Sequence, residues 1–376
     1  MAYDAIVVGL GGMGSAAACH LARRGRRVLG LERFGAAHEM GSSHGRSRII
    51  RQAYYEGAEY VPLLLRAYEL WEELERESGR RLLTLTGALM VGSPEGELVP
   101  GSLRSAREHG LPHELLDAKQ VRERFPTLRP SPGEVALYEE RAGFLHPEEC
   151  VRAHLDLAAR DGAELRFGEP VLSWRAVGER VEVRTGSGRY EAGHLVITAG
   201  PWAPELLAEL GLPLRVERRV MFWFGPEEKR VPPIPVLLWE PEDGDLFYAV
   251  PDGWRGGVKA AFHHAGGSPC TPETLDRRVR EEEALGVRER LARHAPTLAG
   301  RCLDAKVCMY TLTPDGHFVV SLHPDHPRVA IACGFSGHGF KFCGVIGEIL
   351  ADLATRGDTL HPIGLFSPGR LGERAS

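Results

Sequence analysis

The sequence predicts an α/β (α+β) protein in which a nucleotide-binding layer, assembled from separated stretches of chain, carries an inserted domain built on a largely antiparallel β-sheet. Three observations predict this. Residues 4–32 read as strand, glycine-rich turn, helix and strand. Residues 214–265 alternate apolar and polar positions between Pro and Gly punctuation, as antiparallel strands do. Residues 329–355 then repeat the strand, glycine loop and helix pattern. At about 150 residues per domain, a chain of 376 residues makes two or three folding units. The expected division is 1–80, 145–213 and 300–376 for the nucleotide-binding domain, with 81–144 and 214–299 for the inserted one.

Taken in order, 4–8 is a short buried strand, and 15–24 is a helix closed by Gly25 at its C-terminal cap. A second strand follows over 27–32. Residues 60–78 have helical spacing, and 147–160 form a helix with Pro147 in its first turn. A strand-turn-strand pair over 180–197 ends in Leu195-Val196-Ile197-Thr198-Ala199-Gly200 and delivers a glycine to a second close approach. Residues 272–294 read as one charged helix.

Composition excludes several function classes. Hydrophobic residues at 43 % supply a core to each domain. A net charge of −5 with no basic block argues against a nucleic-acid or membrane-surface partner. Seven cysteines are scattered singly without C-x-x-C, which suits free thiols in a reducing compartment, so the protein is expected to be cytoplasmic. The uncharged stretch 5–19 follows an aspartate rather than a basic segment and is broken by four glycines, unlike a signal peptide or a membrane span. The chain holds 41 Arg but only 5 Lys. Lys119, Lys229, Lys259, Lys306 and Lys341 therefore mark places where a compact, titratable ammonium has a use.

The turn after the first strand is Gly9-Leu10-Gly11-Gly12-Met13-Gly14, a G-x-G-x-x-G with Glu32 standing 18 positions after its last glycine. The first glycine makes the turn, the second admits a pyrophosphate to the backbone, the third lets helix and strand pack, and the acid accepts a ribose hydroxyl. That context points to a dinucleotide and leaves nicotinamide or flavin open. The loop GSSHGRSRIIR at 41–51 holds three cations and a histidine. It suits an anionic ligand or an electron-rich ring, and equally a solvated basic loop.

Farther along stand Cys308-Met309-Tyr310-Thr311, then Thr313-Pro314-Asp315 to His317-Phe318, then Gly334-Phe335-Ser336-Gly337-His338-Gly339-Phe340-Lys341-Phe342. Together with the glycine turn, the 41–51 loop and the Tyr248-x10-Lys259-x3-His263 spacing, the chain resembles the monomeric sarcosine oxidase and N-methyltryptophan oxidase group of amine-oxidising flavoproteins. The likeness runs from about residue 3 to 368. It implies a Rossmann-like FAD-binding domain and a monomeric oxidase of secondary amino acids. The implied reaction takes sarcosine, O2 and water to glycine, formaldehyde and H2O2. N-methyltryptophan, a cyclic imino acid such as proline or pipecolate, and a glycated amino acid are the alternative substrates. A flavin dehydrogenase that does not use O2 is the more distant reading.

Carried onto this chain, the resemblance implies FAD bound covalently through Cys308. It implies cofactor contacts from Gly9, Gly11, Gly12, Met13, Gly14, Glu32, Arg33, Ser42 and Ser43, and from Val171, Ala199, Gly200 and Trp202. Met309, Gly337, His338, Gly339 and Lys341 complete that set. Arg51 and Lys341, with Tyr310, are expected to bind the substrate and its carboxylate. His263 and Tyr248 would orient the amine, and Lys259, with His44 and Arg48 beside it, would serve the reaction with O2. No metal is expected. Trp239, just before Tyr248, is expected in the pocket wall.

Overall fold

The run AIVV at 5–8 is apolar on both faces, as a strand sandwiched between layers must be, and in the computed structural model Tyr3–Val8 lies inside an eight-stranded sheet. The structure describes residues 3–227, 233–252 and 257–372. Lys229 and the C-terminal residues 373–376 lie outside the described residues. Tyr3–Val8 pairs in parallel with Val28–Leu31 on one side and Arg189–Ile197 on the other, and His326–Cys333 continues the parallel set. Helices Gly12–Arg23, Pro147–Arg160 and Cys343–Arg356 bury their apolar residues in one core against this sheet. Gly25 follows the first helix at φ +71°, a left-handed value that glycine adopts without strain.

The second sheet has nine strands. Across it run Arg215–Phe224, Gly257–Phe262, Phe247–Asp252, Val236–Glu240, Ala88–Gly92, Val135–Glu139 and Glu114–Asp117. Every pairing between these neighbours is antiparallel except Val236–Glu240 with Ala88–Gly92. The expected antiparallel sheet over 214–265 is therefore present. Cys302–Leu312 pairs along its length with Arg215–Phe224, so this strand falls in the second sheet although the expected division groups it with the nucleotide-binding domain.

The charged helix is shorter than its spacing predicts, running Glu281–His294. The reason is local: Arg218 takes the carbonyls of Asp276 and Arg278 at 2.7 Å each, which withdraws them from any helical ladder. Glu283 then accepts from the Arg280 amide at 2.8 Å and opens the helix there.

Alternation along the second sheet decides which side chains face the nucleotide layer. Leu238, Tyr248 and Ala261 are neighbours across three strands, as are Val250, Lys259 and Trp223. Met221, Cys308 and Tyr310 lie on this same face. The opposite face carries Leu237, Trp239, Phe247, Ala249, Phe222 and Phe224, packed with Val287 and Leu291 of the charged helix. Trp239 is thus turned away from the site. Its indole donates to Glu134 at 2.9 Å, and its ring lies 4.5 Å from that of His294. The expectation that it walls the pocket is overturned, and Leu238 and Leu246 stand there instead.

Candidate active site

The glycine turn and the helix it opens form the floor of an elongated cavity of about 350 Å³. Gly9 sits at φ +84°, and a Cβ on it would stand 2.7 Å from the Thr198 carbonyl. A Cβ on Gly14 would stand 1.8 Å from the Gly9 carbonyl, so strand and helix meet only because both are bare. The first-turn amides of Gly12–Arg23 point where an anion would sit, and Ser43 Oγ accepts from the Gly12 amide at 3.0 Å. Gly9, Gly11, Gly12 and Met13 line the cavity, while Gly14 lies beneath it.

Glu32 is at one end of this cavity with Arg33. Its carboxylate accepts from the Leu10 amide at 2.8 Å and the Phe34 amide at 2.9 Å, and His38 Nε2 lies at 3.1 Å. Burial works to raise its pKa, but the His38 and backbone donors outweigh burial and hold it below the usual range. Ser42, Ser43, Val171, Ala199, Gly200 and Trp202 line the walls. Met309, Tyr310, Gly337 and Gly339 line the far end.

There the cavity meets a second one of about 80 Å³, with Arg48, Tyr310, Gly337 and Phe340 in both linings. Arg51, Tyr248, Lys259, His263, Cys308, His338 and Lys341 all line this inner cavity. Residues as far apart in sequence as Ser47 and Lys341, 294 positions, therefore converge on one space.

Lys259 is 2 % exposed and donates to the Gly45 carbonyl at 3.1 Å and the Ser47 carbonyl at 2.5 Å. The 41–51 loop is thereby fixed to the second sheet. Arg48 holds the same loop, donating to the Ser42 carbonyl at 2.8 Å. His44 is placed differently: 1 % exposed, it lines neither cavity, and both its ring nitrogens lack a partner among the described residues. Burial, with Arg48 and Lys306 nearby, pushes it down to about 3, so the ring is neutral.

Lys341 donates to the His338 carbonyl at 2.7 Å and the Tyr54 hydroxyl at 3.3 Å. Burial, then the Arg51 charge, pushes its ammonium down to about 7, against the opposing pull of Glu56. Arg51 donates to Glu56 Oε2 and to the Ala53 carbonyl, each at 2.5 Å. Glu56 also lines the cavity and was missed from sequence; its signal is an acid five residues after a buried arginine. Glu56 thus already occupies part of the Arg51 fork. Burial drives His263 well below its ordinary value, helped by His264, His338 and Lys341, and drives Tyr248 well above its own. Both are neutral hydrogen-bonding groups in a cavity whose charge is set by cations.

Cys308 is 3 % exposed, and burial pushes its thiol up while Arg48 and Lys259 pull the other way. None of the seven cysteines is in a disulfide. Of the four described lysines, Lys119 and Lys306 pair with Glu123 and Glu39, whereas Lys259 and Lys341 face the cavity.

Residues 4–353 match the family model described as FAD dependent oxidoreductase. The chain belongs to this family. The donor set of the cradle fits FAD: a helix start for the pyrophosphate, a partnered carboxylate for the ribose, and an adjoining cation-lined cavity edged by Cys308. This FAD-dependent oxidoreductase is 55 % identical to a monomeric sarcosine oxidase of Streptomyces avermitilis, over 98 % of each chain. It is 33 % identical to an N-methyl-L-tryptophan oxidase of Yersinia pestis, over 99 % of this chain and all of that one. Among solved structures, NikD, an unusual amino acid oxidase essential for nikkomycin biosynthesis, matches with a TM-score of 0.87 at 26 % identity. That match covers 98 % of this chain and 97 % of NikD. The resemblance read from the motifs is borne out. Among the described residues no helix is long and apolar enough to cross a membrane.

Proposed function

We propose that the protein is a flavin-dependent oxidase of secondary amino acids acting on sarcosine, which it converts with O2 and water to glycine, formaldehyde and H2O2. The observation that carries this reading is the meeting of Arg51, Lys341, Tyr248, His263, Cys308 and Lys259 around one buried cavity. Bound FAD supplies the two-electron acceptor for the N-methyl group and the donor to O2.

The protein's own groups do the rest. Arg51 brings a planar fork and Lys341 a point charge to the substrate carboxylate, and two cations on one anion favour amino acids over plain amines. Tyr248, His263 and Tyr310 orient the amine without adding charge. The surrounding cations disfavour a protonated nitrogen, and a neutral nitrogen is what release of a hydride equivalent requires. Lys259, held by two carbonyls, is a fixed cation for the negative charge that develops on O2. Cys308 Sγ is the atom that would hold FAD, by a thioether to its 8α-methyl group.

Identity to a sarcosine oxidase, at 55 %, supports sarcosine ahead of N-methyltryptophan, whose oxidase is 33 % identical. We read the chain as a cytoplasmic monomer with FAD held by 1–80, 145–213 and 300–376 and substrate held largely by 81–144 and 214–299. The test is an acid-precipitated pellet followed by anaerobic titration of the native protein with sarcosine. A yellow pellet and a bleached flavin are expected. A colourless pellet refutes the covalent bond, and a flavin that sarcosine leaves oxidised refutes the substrate.

A further inference from the structure

Arg219 lies in the strand Arg215–Phe224, directly across from Cys308, and is 6 % exposed. It lines neither the cofactor cavity nor the inner one. Its guanidinium nevertheless touches Tyr310 of the inner wall, and beside it Glu217 and the turn that follows His263. Nη1 donates to the His264 carbonyl and, at 3.2 Å, to the Ala265 carbonyl. Nη2 donates to Glu217 Oε2 at 2.5 Å. The guanidinium carbon stands 5.2 Å from the centre of the Tyr310 ring. The following turn packs flush against it, since a Cβ on Gly267 would stand 2.4 Å from the guanidinium carbon.

The two groups joined in this way are the ones that face each other across the amine pocket. His263 immediately precedes the clamped carbonyls, and its ring lies 6.0 Å from that of Tyr310 in an edge-to-face arrangement. The other side of His263 is tied by its amide to the Leu246 carbonyl at 2.8 Å. Without Arg219 the largely exposed 264–267 turn loses the donor that ties its carbonyls to the sheet, and the gap between His263 and Tyr310 has no common anchor. A lysine keeps the charge but cannot fork to two carbonyls and a carboxylate while lying over an aromatic face. Glu217 also accepts from Arg215 at 2.8 Å, so loss of Arg219 does not leave that carboxylate alone.

We propose that Arg219 is a positioning residue of the amine pocket: by clamping the 264–267 turn to Glu217 and lying over Tyr310, it sets the gap in which His263 and Tyr310 receive the substrate. This rests on the amine-oxidase reading of the inner cavity.

Two variants of the flavin-loaded protein test it. Arg219→Lys removes the fork, and Gly267→Ala, at an exposed position, pushes the guanidinium aside while leaving it in the chain. In each, KM for sarcosine rises by about tenfold or more, while kcat changes by less than about threefold and the rate of reaction with O2 stays as in the parent. Hydrogen exchange of the 262–268 peptide, measured without substrate, quickens in both. If Arg219→Lys does not accumulate as a folded protein, Gly267→Ala decides. A parental KM overturns the proposal, whether exchange quickens or not, because the turn then has no bearing on the pocket. A parent protein that fails to oxidise sarcosine refutes the substrate reading instead. The exchange measurement then tests the clamp by itself, and unchanged exchange overturns it.

Discussion

Lys341→Met probes the buried ammonium that the site keeps beside Arg51. Burial and that neighbouring cation hold Lys341 down to about 7, against an ordinary value of 10.5. The unfolded chain titrates at the ordinary value, so between pH 7 and 10.5 the unfolded state binds the extra proton and stability rises with pH. Below pH 7 both states are protonated and the full penalty of the buried charge is present. At about 1.4 kcal/mol per pH unit, the fall from 10.5 to about 7 amounts to about 5 kcal/mol of destabilisation at pH 6 relative to high pH. Methionine has similar length and no charge, so it removes this penalty. It also forfeits the bonds to the His338 carbonyl and the Tyr54 hydroxyl, together about 1–3 kcal/mol. The variant is then about 2–4 kcal/mol more stable than the parent at pH 6, and the advantage shrinks and reverses by about pH 10. Urea unfolding of both proteins at pH 6, 8 and 10 reads the difference, in which groups common to both cancel. The same substitution raises KM for sarcosine by about tenfold or more, because one of two cations on the carboxylate is gone. A stability difference constant across pH, or a variant less stable than its parent at pH 6, refutes the reasoning.

Lys259→Met leaves anaerobic flavin reduction by sarcosine near the parental rate and slows reaction with O2 by about a hundredfold or more, as stopped-flow mixing shows; equal losses in both halves sink the assigned role. Cys308→Ser releases its flavin on acid precipitation where the parent keeps it, and retention in the variant places the attachment elsewhere. Trp239→Phe leaves the ranking of amine substrates unchanged, because the indole lies on the far face of the sheet, but destabilises the fold by about 1–3 kcal/mol through the lost bond to Glu134. A changed amine ranking by peroxide assay contradicts that placement.

The parts of the site legible in the sequence are those whose chemistry is local. The 9–14 turn, Glu32 and the loop after Cys333 are read from spacing because strand, turn and helix constrain one another within about thirty residues. Trp239 was misplaced for the opposite reason. The stretch Val236–Glu240 is VLLWE, apolar at four successive positions, and a strand buried on both faces has no alternation to reveal which face looks at the site. Arg219 was missed because its neighbours Val216 and Val220 mark only a strand, while the carbonyls it binds stand 45 and 46 residues away.

That a βαβ cradle opens the chain, that an antiparallel sheet is inserted later, and that few lysines are available can be read from the residues in order. Each follows from periodicity, glycine placement or composition, which need no distant partner. That Lys259 and Lys341 both face one cavity, and that Glu56 holds Arg51 within it, emerges with the folded chain. Folding alone turned Trp239 away from the site and buried His44. Those outcomes depend on which face of the second sheet docks against the nucleotide layer and on which strands pair. That choice is made by the burial of the two cores together rather than by any single stretch of chain.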